Sequence, residues 1–163
     1  MLTRFSADCR LCPRLAGFLD EVKIRQPDYH ARPVPAFGDK TPKLLIIGLA
    51  PGMHGANRTG RPFTGDFAGI LLYQTLHKFG LASRDESVSA DDGLQLTGCR
   101  ITNAVKCLPP ENKPEPGEIR RCNGYLAAEI ASFAKEGGVA LLALGTVAHK
   151  AALMALELKP TAY

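Results

Sequence analysis

No stretch of the 163-residue chain approaches the roughly 18 to 20 consecutive apolar residues that a spanning helix needs. The first residues, MLTRFSADCRLCPRL, place charges and cysteines where a signal peptide would have its apolar stretch. These two absences predict a cytoplasmic protein without a membrane partner. The dinucleotide fingerprint G-x-G-x-x-G is missing, and so is the G-K-[ST] of a phosphate-cradling P-loop. A disulfide framework is not expected in a reducing compartment, which leaves metal binding or buried thiols to explain the five cysteines.

What is present suits one globular domain over residues 1–163: a 45% hydrophobic content is ordinary for a chain of this length. The formal charge of +4 is modest but unevenly spread. Residues 1–65 hold ten Lys/Arg against five Asp/Glu, whereas residues 66–98 hold two against five. The basic excess is what a polyanion such as DNA would meet, although a solvated basic surface explains it equally well.

Leu11, Leu15, Phe18, Leu19 and Val22 fall at helical spacing just after the first two cysteines. The four prolines of RQPDYHARPVPAFGDKTP then read as an extended loop. Residues 43–49 form a continuous apolar run between turn signals, the pattern of a strand buried on both faces of a parallel sheet. Residues 68–79 place Ile70, Leu71, Leu72, Leu76 and Phe79 near one helical face. RITNAVKC reads as a second strand that the prolines of LPPENKPEPGE must end. Residues 119–135 are helical, residues 139–144 a third strand and TVAHKAALMALEL a last helix. This βα alternation predicts a parallel sheet with helices on both faces and right-handed crossovers. Ligands of such folds sit beyond the carboxyl ends of the strands.

The loop after the first strand, GLAPGMHGANRTGRPFTGD, carries Gly48, Gly52, Gly55, Gly60 and Gly65. Glycine raises the entropy cost of ordering a loop, so this density suggests backbone brought close to a ligand. Exposed backbone N–H groups, Phe63 as a flat stacking partner and Asp66 as a carboxylate would suit a planar heterocycle, such as a flipped nucleobase. Separately, Cys9 and Cys12 form a C-x-x-C followed by Pro13, and Cys107 and Cys122 flank the proline-rich loop. Four thiolates from two segments suit a tetrahedral zinc or a [4Fe-4S] cluster, and spacing does not choose between them. Cys99 reads as a core thiol.

GLAPGMHGANRTGRPFTGD, ITNAVKC, PPENKP and the set Cys9, Cys12, Cys107 and Cys122 together resemble the uracil-DNA glycosylase superfamily in its iron–sulfur branches. The resemblance runs from Cys9 to the end. It is nearer to the fifth family (type B) than to the fourth, whose first motif carries an acid where this chain has Leu49.

The resemblance implies a three-layer α/β/α sandwich around a parallel sheet and a monomeric enzyme that removes uracil from DNA and leaves an abasic site. The four cysteines would hold a structural [4Fe-4S] cluster in preference to zinc. Phe63 would stack on the base, with Ala50, Pro51 and Gly52 lining the pocket and Asn103 reading the uracil edge. Asp66 would position water or stabilise the sugar cation, and Asn112 would be the second polar catalytic group. His54 reads as a hydrogen-bonding surface residue of the loop. The superfamily also has a histidine-bearing loop after a fourth strand. The sequence reaches LELKPTAY without it, so the domain is expected to lack that strand and loop. An inactive nucleic-acid-binding module and a zinc-stabilised nucleotide-binding domain remain as alternatives.

Overall fold

A computed structural model describes residues 4–160, so the ends of the expected domain 1–163 and of the resemblance lie outside the described residues. Helix α1 (Pro13–Arg25) begins directly after Cys12, with proline at the first helical position, where its missing N–H costs nothing. It buries Leu15, Ala16, Leu19 and Val22; Leu11 lies before the helix and is exposed.

Four strands follow: β1 (Phe37–Gly38), β2 (Leu44–Gly48), β3 (Cys99–Asn103) and β4 (Ala140–Ala143). Their spatial order is β1-β3-β2-β4. β3 and β4 run parallel to β2, but β1 lies antiparallel along β3, so the sheet is mixed rather than wholly parallel. The antiparallel edge comes from the proline-rich segment read as a loop, where two residues pair with Ile101 and Arg100.

Alternate residues of β2 face opposite layers, as the two-residue period of a strand requires. Leu45 and Ile47 pack with Leu126, Ile130, Phe133 and Ala148, which belong to α4 (Pro116–Lys135) and α5 (Thr146–Ala155). Ile46 packs with Tyr73 and Leu76 of α3 (Ala68–Lys78) and with Leu94 and Leu96. The result is a three-layer α/β/α arrangement. Among the described residues β4 has no strand on its outer side, and its flank shows apolar surface at Val139 and Leu142. No helix among them is long and apolar enough to cross a membrane.

Three elements depart from the sequence pattern. The core face of α3 is Gly69, Tyr73 and Leu76, while Ile70, Leu71 and Phe79 are exposed. The inward position at 69 must be glycine, because any larger residue would collide with the Phe63 carbonyl. β3 stops at Asn103 instead of running to Cys107, because its partner β2 ends at Gly48, opposite Asn103. Helix α4 starts at Pro116, three residues before Ile119, where Glu115 and Glu118 form a reciprocal capping box.

Candidate active site and cysteine cage

A cleft of about 500 Å³ opens at the carboxyl ends of β2 and β3, within the size range of small-molecule sites. Ala50, Gly52, Phe63, Asp66, Asn103 and Asn112 all line it, with Leu49 and His54 at its wall. Residues expected from three separate segments therefore meet in one place. Pro51 does not join them: it is buried, outside the lining.

Register explains the inner end. Gly48 and Asn103 are paired across two parallel strands, and a Cβ on Gly48 would stand 2.5 Å from Asn103 Oδ1 and 2.6 Å from the Phe63 ring. Glycine there lets the amide and the ring close together. Asn103 is only 3% exposed, and its Oδ1 has no partner among the described residues. A buried unpartnered amide oxygen costs free energy unless a ligand or water satisfies it.

The mouth is shaped by the loop between β2 and α3. Its short helix α2 (Ala56–Thr59) is followed by Gly60 in the left-handed region, against His30. Phe63 itself has φ +53, a conformation that bulky residues adopt only under outside constraint. That constraint is visible. Tyr73 donates its hydroxyl to the Pro62 carbonyl at 2.7 Å, and the Thr64 hydroxyl lies 2.6 Å from Ser87 Oγ. Arg61 reaches Asp92 at 2.8 Å and stacks its guanidinium 4.2 Å over Phe37. Burial alone would raise the Asp92 pKa. The N–H groups of Val88 and Leu94, the Arg61 guanidinium and the Ser89 N–H outweigh it and hold the carboxyl well below the usual carboxylate range.

The Asp66 carboxylate is half-buried and folds back over the glycines. A Cβ on Gly52 would lie 2.8 Å from it, and one on Gly55 would overlap it. These glycines make room for a side chain of their own loop, and Gly52 also lines the cleft. One oxygen, Oδ1, is buried without a partner among the described residues. Asn112 is exposed in the lining of the cleft, and Glu111 and Asn112 both have positive φ, 54° and 57°. Asparagine tolerates that conformation better than most residues. His54 is exposed, as a surface loop residue should be, and pairs its Nδ1 with the Tyr29 hydroxyl at 2.7 Å.

Sequence reasoning missed Arg61, Tyr73 and Asp92, which hold the loop in shape. The composition of the loop gives no sign of them, because Asp92 lies 31 residues from Arg61.

Cys9, Cys12, Cys107 and Cys122 line a second cavity, together with Leu15, Pro33, Arg121 and Tyr125. The two segments that carry them are pinned by Arg14, whose guanidinium meets the nearly buried Glu118 carboxylate through two bonds of 2.8 Å. Burial, then the neighbouring sulfurs, pushes the Cys107 thiol up to about 12. Burial also pushes Cys122 up to about 11, against the opposing pull of Lys106. Such thiols resist ionisation until a positive group compensates them. The donors are all sulfur, which suits a soft metal group. Among the described residues no three His, Cys, Asp or Glu side chains are placed so as to hold a single metal ion. Cys99 is fully buried in the core, as expected.

The chain matches the family model described as the uracil DNA glycosylase superfamily over residues 35–161. It is 46% identical over 160 residues to a type-5 uracil-DNA glycosylase of Thermus thermophilus, covering 95% of this chain and 72% of that protein. A type-5 uracil-DNA glycosylase of Mycobacterium bovis is 47% identical over 152 residues, 89% of this chain and 56% of that protein. A type-4 uracil-DNA glycosylase of Pyrobaculum aerophilum is 33% identical over 124 residues, 76% of this chain and 54% of that protein. The chain thus spans between about half and three quarters of the length of these relatives.

Proposed function

Because this chain belongs to the uracil DNA glycosylase superfamily, we propose that its cleft takes a uracil flipped out of DNA and hydrolyses the N-glycosidic bond. The observation that carries this reading is the meeting of Phe63, Asn103, Asp66 and Asn112 around one cleft, with buried unpartnered oxygens on Asp66 and Asn103. A flipped base brings what that lining asks for: a planar face for Phe63, and N–H and C=O groups on one edge for the Asn103 amide.

Breaking the bond leaves positive charge on the sugar and negative charge on the base. Asp66, on the side of the loop, positions the attacking water and stabilises the sugar cation. Asn112 lines the cleft as the second polar group, while the polar groups at the inner end meet the charge on the departing base. Leu49 has no group to exchange protons, so the carboxylate work falls to Asp66. Among the described residues no lysine lines the cleft, and without a Schiff base the product is an intact strand with an abasic site.

We assign Cys9, Cys12, Cys107 and Cys122 to a [4Fe-4S] cluster. When bound, it supplies four strong iron–sulfur links and no chemistry at the sugar. The cysteines tie the segment before α1 to the loop that carries Asn112 and to α4. We further read residues 1–163 as one domain that acts on uracil-containing DNA as a monomer in the cytoplasm.

Incubation with uracil-containing duplex DNA, followed by heating in alkali, tests the reading. Cleavage at the uracil position is expected. Intact strands would overturn it, and salt-sensitive DNA binding without cleavage would make the chain a non-catalytic nucleic-acid module.

A further inference from the structure

Lys106 is 1% exposed, an unusual place for an ammonium group. Each of its three N–H bonds has an acceptor: Thr102 Oγ1 at 2.6 Å, the Asn103 carbonyl at 2.7 Å and Glu129 Oε2 at 2.7 Å. The Thr102 hydroxyl lies 3.0 and 3.1 Å from the two Glu129 oxygens, which closes the set. The backbone N–H of Lys106 donates to Cys122 Sγ at 3.3 Å. One residue therefore links the end of β3 to helix α4 through both its main chain and its side chain.

Stability does not explain this choice. A buried ion pair is often no better than apolar side chains of the same volume, because desolvation offsets the attraction. The pair does something an apolar residue would not: through Lys106 it holds the Asn103 carbonyl from a position outside the lining of the cleft. No lining position belongs to Lys106 or Glu129. At the cleft, a methyl on Gly48 would meet both the Asn103 amide oxygen and the Phe63 ring, and that oxygen has no partner among the described residues. An amide that recognises a pyrimidine edge discriminates only if its donor and acceptor stay in fixed places.

We propose that Lys106, balanced by Glu129, is a positioning residue that fixes the Asn103 amide in the orientation that binds uracil. It acts through Asn103 and does not touch the substrate. The proposal rests on the reading of the cleft as a uracil site and names the device that gives that site its selectivity.

The test compares Lys106→Met with Lys106→Met/Glu129→Gln, by uracil affinity from calorimetry, affinity for uracil-free DNA, melting temperature and excision rate. The single variant strands the Glu129 carboxylate, so melting temperature and uracil affinity both fall. The double variant removes both charges and recovers the melting temperature. Its uracil affinity stays roughly tenfold to a hundredfold below that of the wild type, the weight of a hydrogen bond to a charged group. Affinity for uracil-free DNA is unchanged. If uracil affinity recovers together with melting temperature, Lys106 is purely structural and the proposal is overturned.

If the double variant stays unstable, Thr102→Val decides. It is nearly isosteric and removes one of the three acceptors. Weaker uracil binding with unchanged DNA binding supports the proposal, and unchanged uracil binding overturns it. Because uracil affinity is read apart from turnover, a wild-type protein that binds uracil but releases none from DNA would overturn the glycosylase reading and leave this comparison intact.

Discussion

Gly55 and Asp66 touch: a methyl group on Gly55 would occupy the space of the Asp66 carboxylate. Eleven positions apart in the sequence, they fix where the one carboxylate that lines the cleft among the described residues stands, and they do so because one of them has no side chain.

Gly55→Ala should therefore damage the reaction more than the fold. What blocks a methyl at Gly55 is the movable end of a side chain. Asp66 swings aside, and we expect excision to fall by about a hundredfold, since a misplacement near 1 Å can cost that much. Circular dichroism melting should stay within a few degrees of wild type; a large drop would mean that the glycine supports the fold instead.

Asp66→Asn keeps the shape and removes the charge. The expected loss of excision is on the order of a hundredfold to a thousandfold, the scale of a positioned base or a transition-state charge partner. Single-turnover measurements place the loss in the chemical step, with DNA affinity unchanged. Retention of wild-type excision would move the carboxylate role elsewhere.

Phe63→Ala should weaken substrate binding by about 1–3 kcal/mol, the contribution of one stacked base. KM for uracil-containing DNA rises, while binding of uracil-free DNA is unaffected. An equal loss on both DNAs would show that the ring serves the loop and not the base.

Cys107→Ser should give colourless protein, without the brown absorption near the blue end of the visible range, and lower solubility. A four-sulfur cage missing one member holds its cluster poorly. Zinc analysis of the wild-type protein gives the contrary outcome: stoichiometric zinc with no visible absorption would replace the cluster assignment.

Asp92→Asn tests the strap that carries Arg61. The folded carboxyl is held below its ordinary value of 3.8, so its contribution to stability is fully present above that value and is lost as pH falls towards the folded pKa. At pH 7 the variant should be destabilised by about 1.5–3 kcal/mol, one charge-assisted bond. The difference in melting temperature from wild type should hold down to about pH 4 and shrink only below it. A gap that closes already between pH 7 and pH 5 would contradict the low pKa.

The strands were legible because a buried parallel strand needs a continuous apolar run, and residues 44–49 supply one. Helix α3 was legible in place but not in orientation. Counting apolar residues grouped Ile70, Leu71 and Phe79 with Leu72 and Leu76 on one helical face, whereas Gly69, against the Phe63 carbonyl, joins Tyr73 and Leu76 in the core and those three are exposed. The antiparallel β1 was hidden because two residues among prolines leave no periodicity to read.

By itself the sequence determined the layers, through hydrophobic periodicity, and the residue types of the cleft, through one long loop rich in glycine with Phe63 and Asp66 near its end. Tertiary structure alone decided what the glycines are for, since closeness in space is not written in spacing: Gly48 admits the Phe63 ring and Gly55 admits the Asp66 carboxylate. It alone joined Arg61 to Asp92 and Lys106 to Glu129. Those pairs lie 31 and 23 residues apart, and a charge in a sequence carries no sign of whether its partner will be water or a side chain buried beside it.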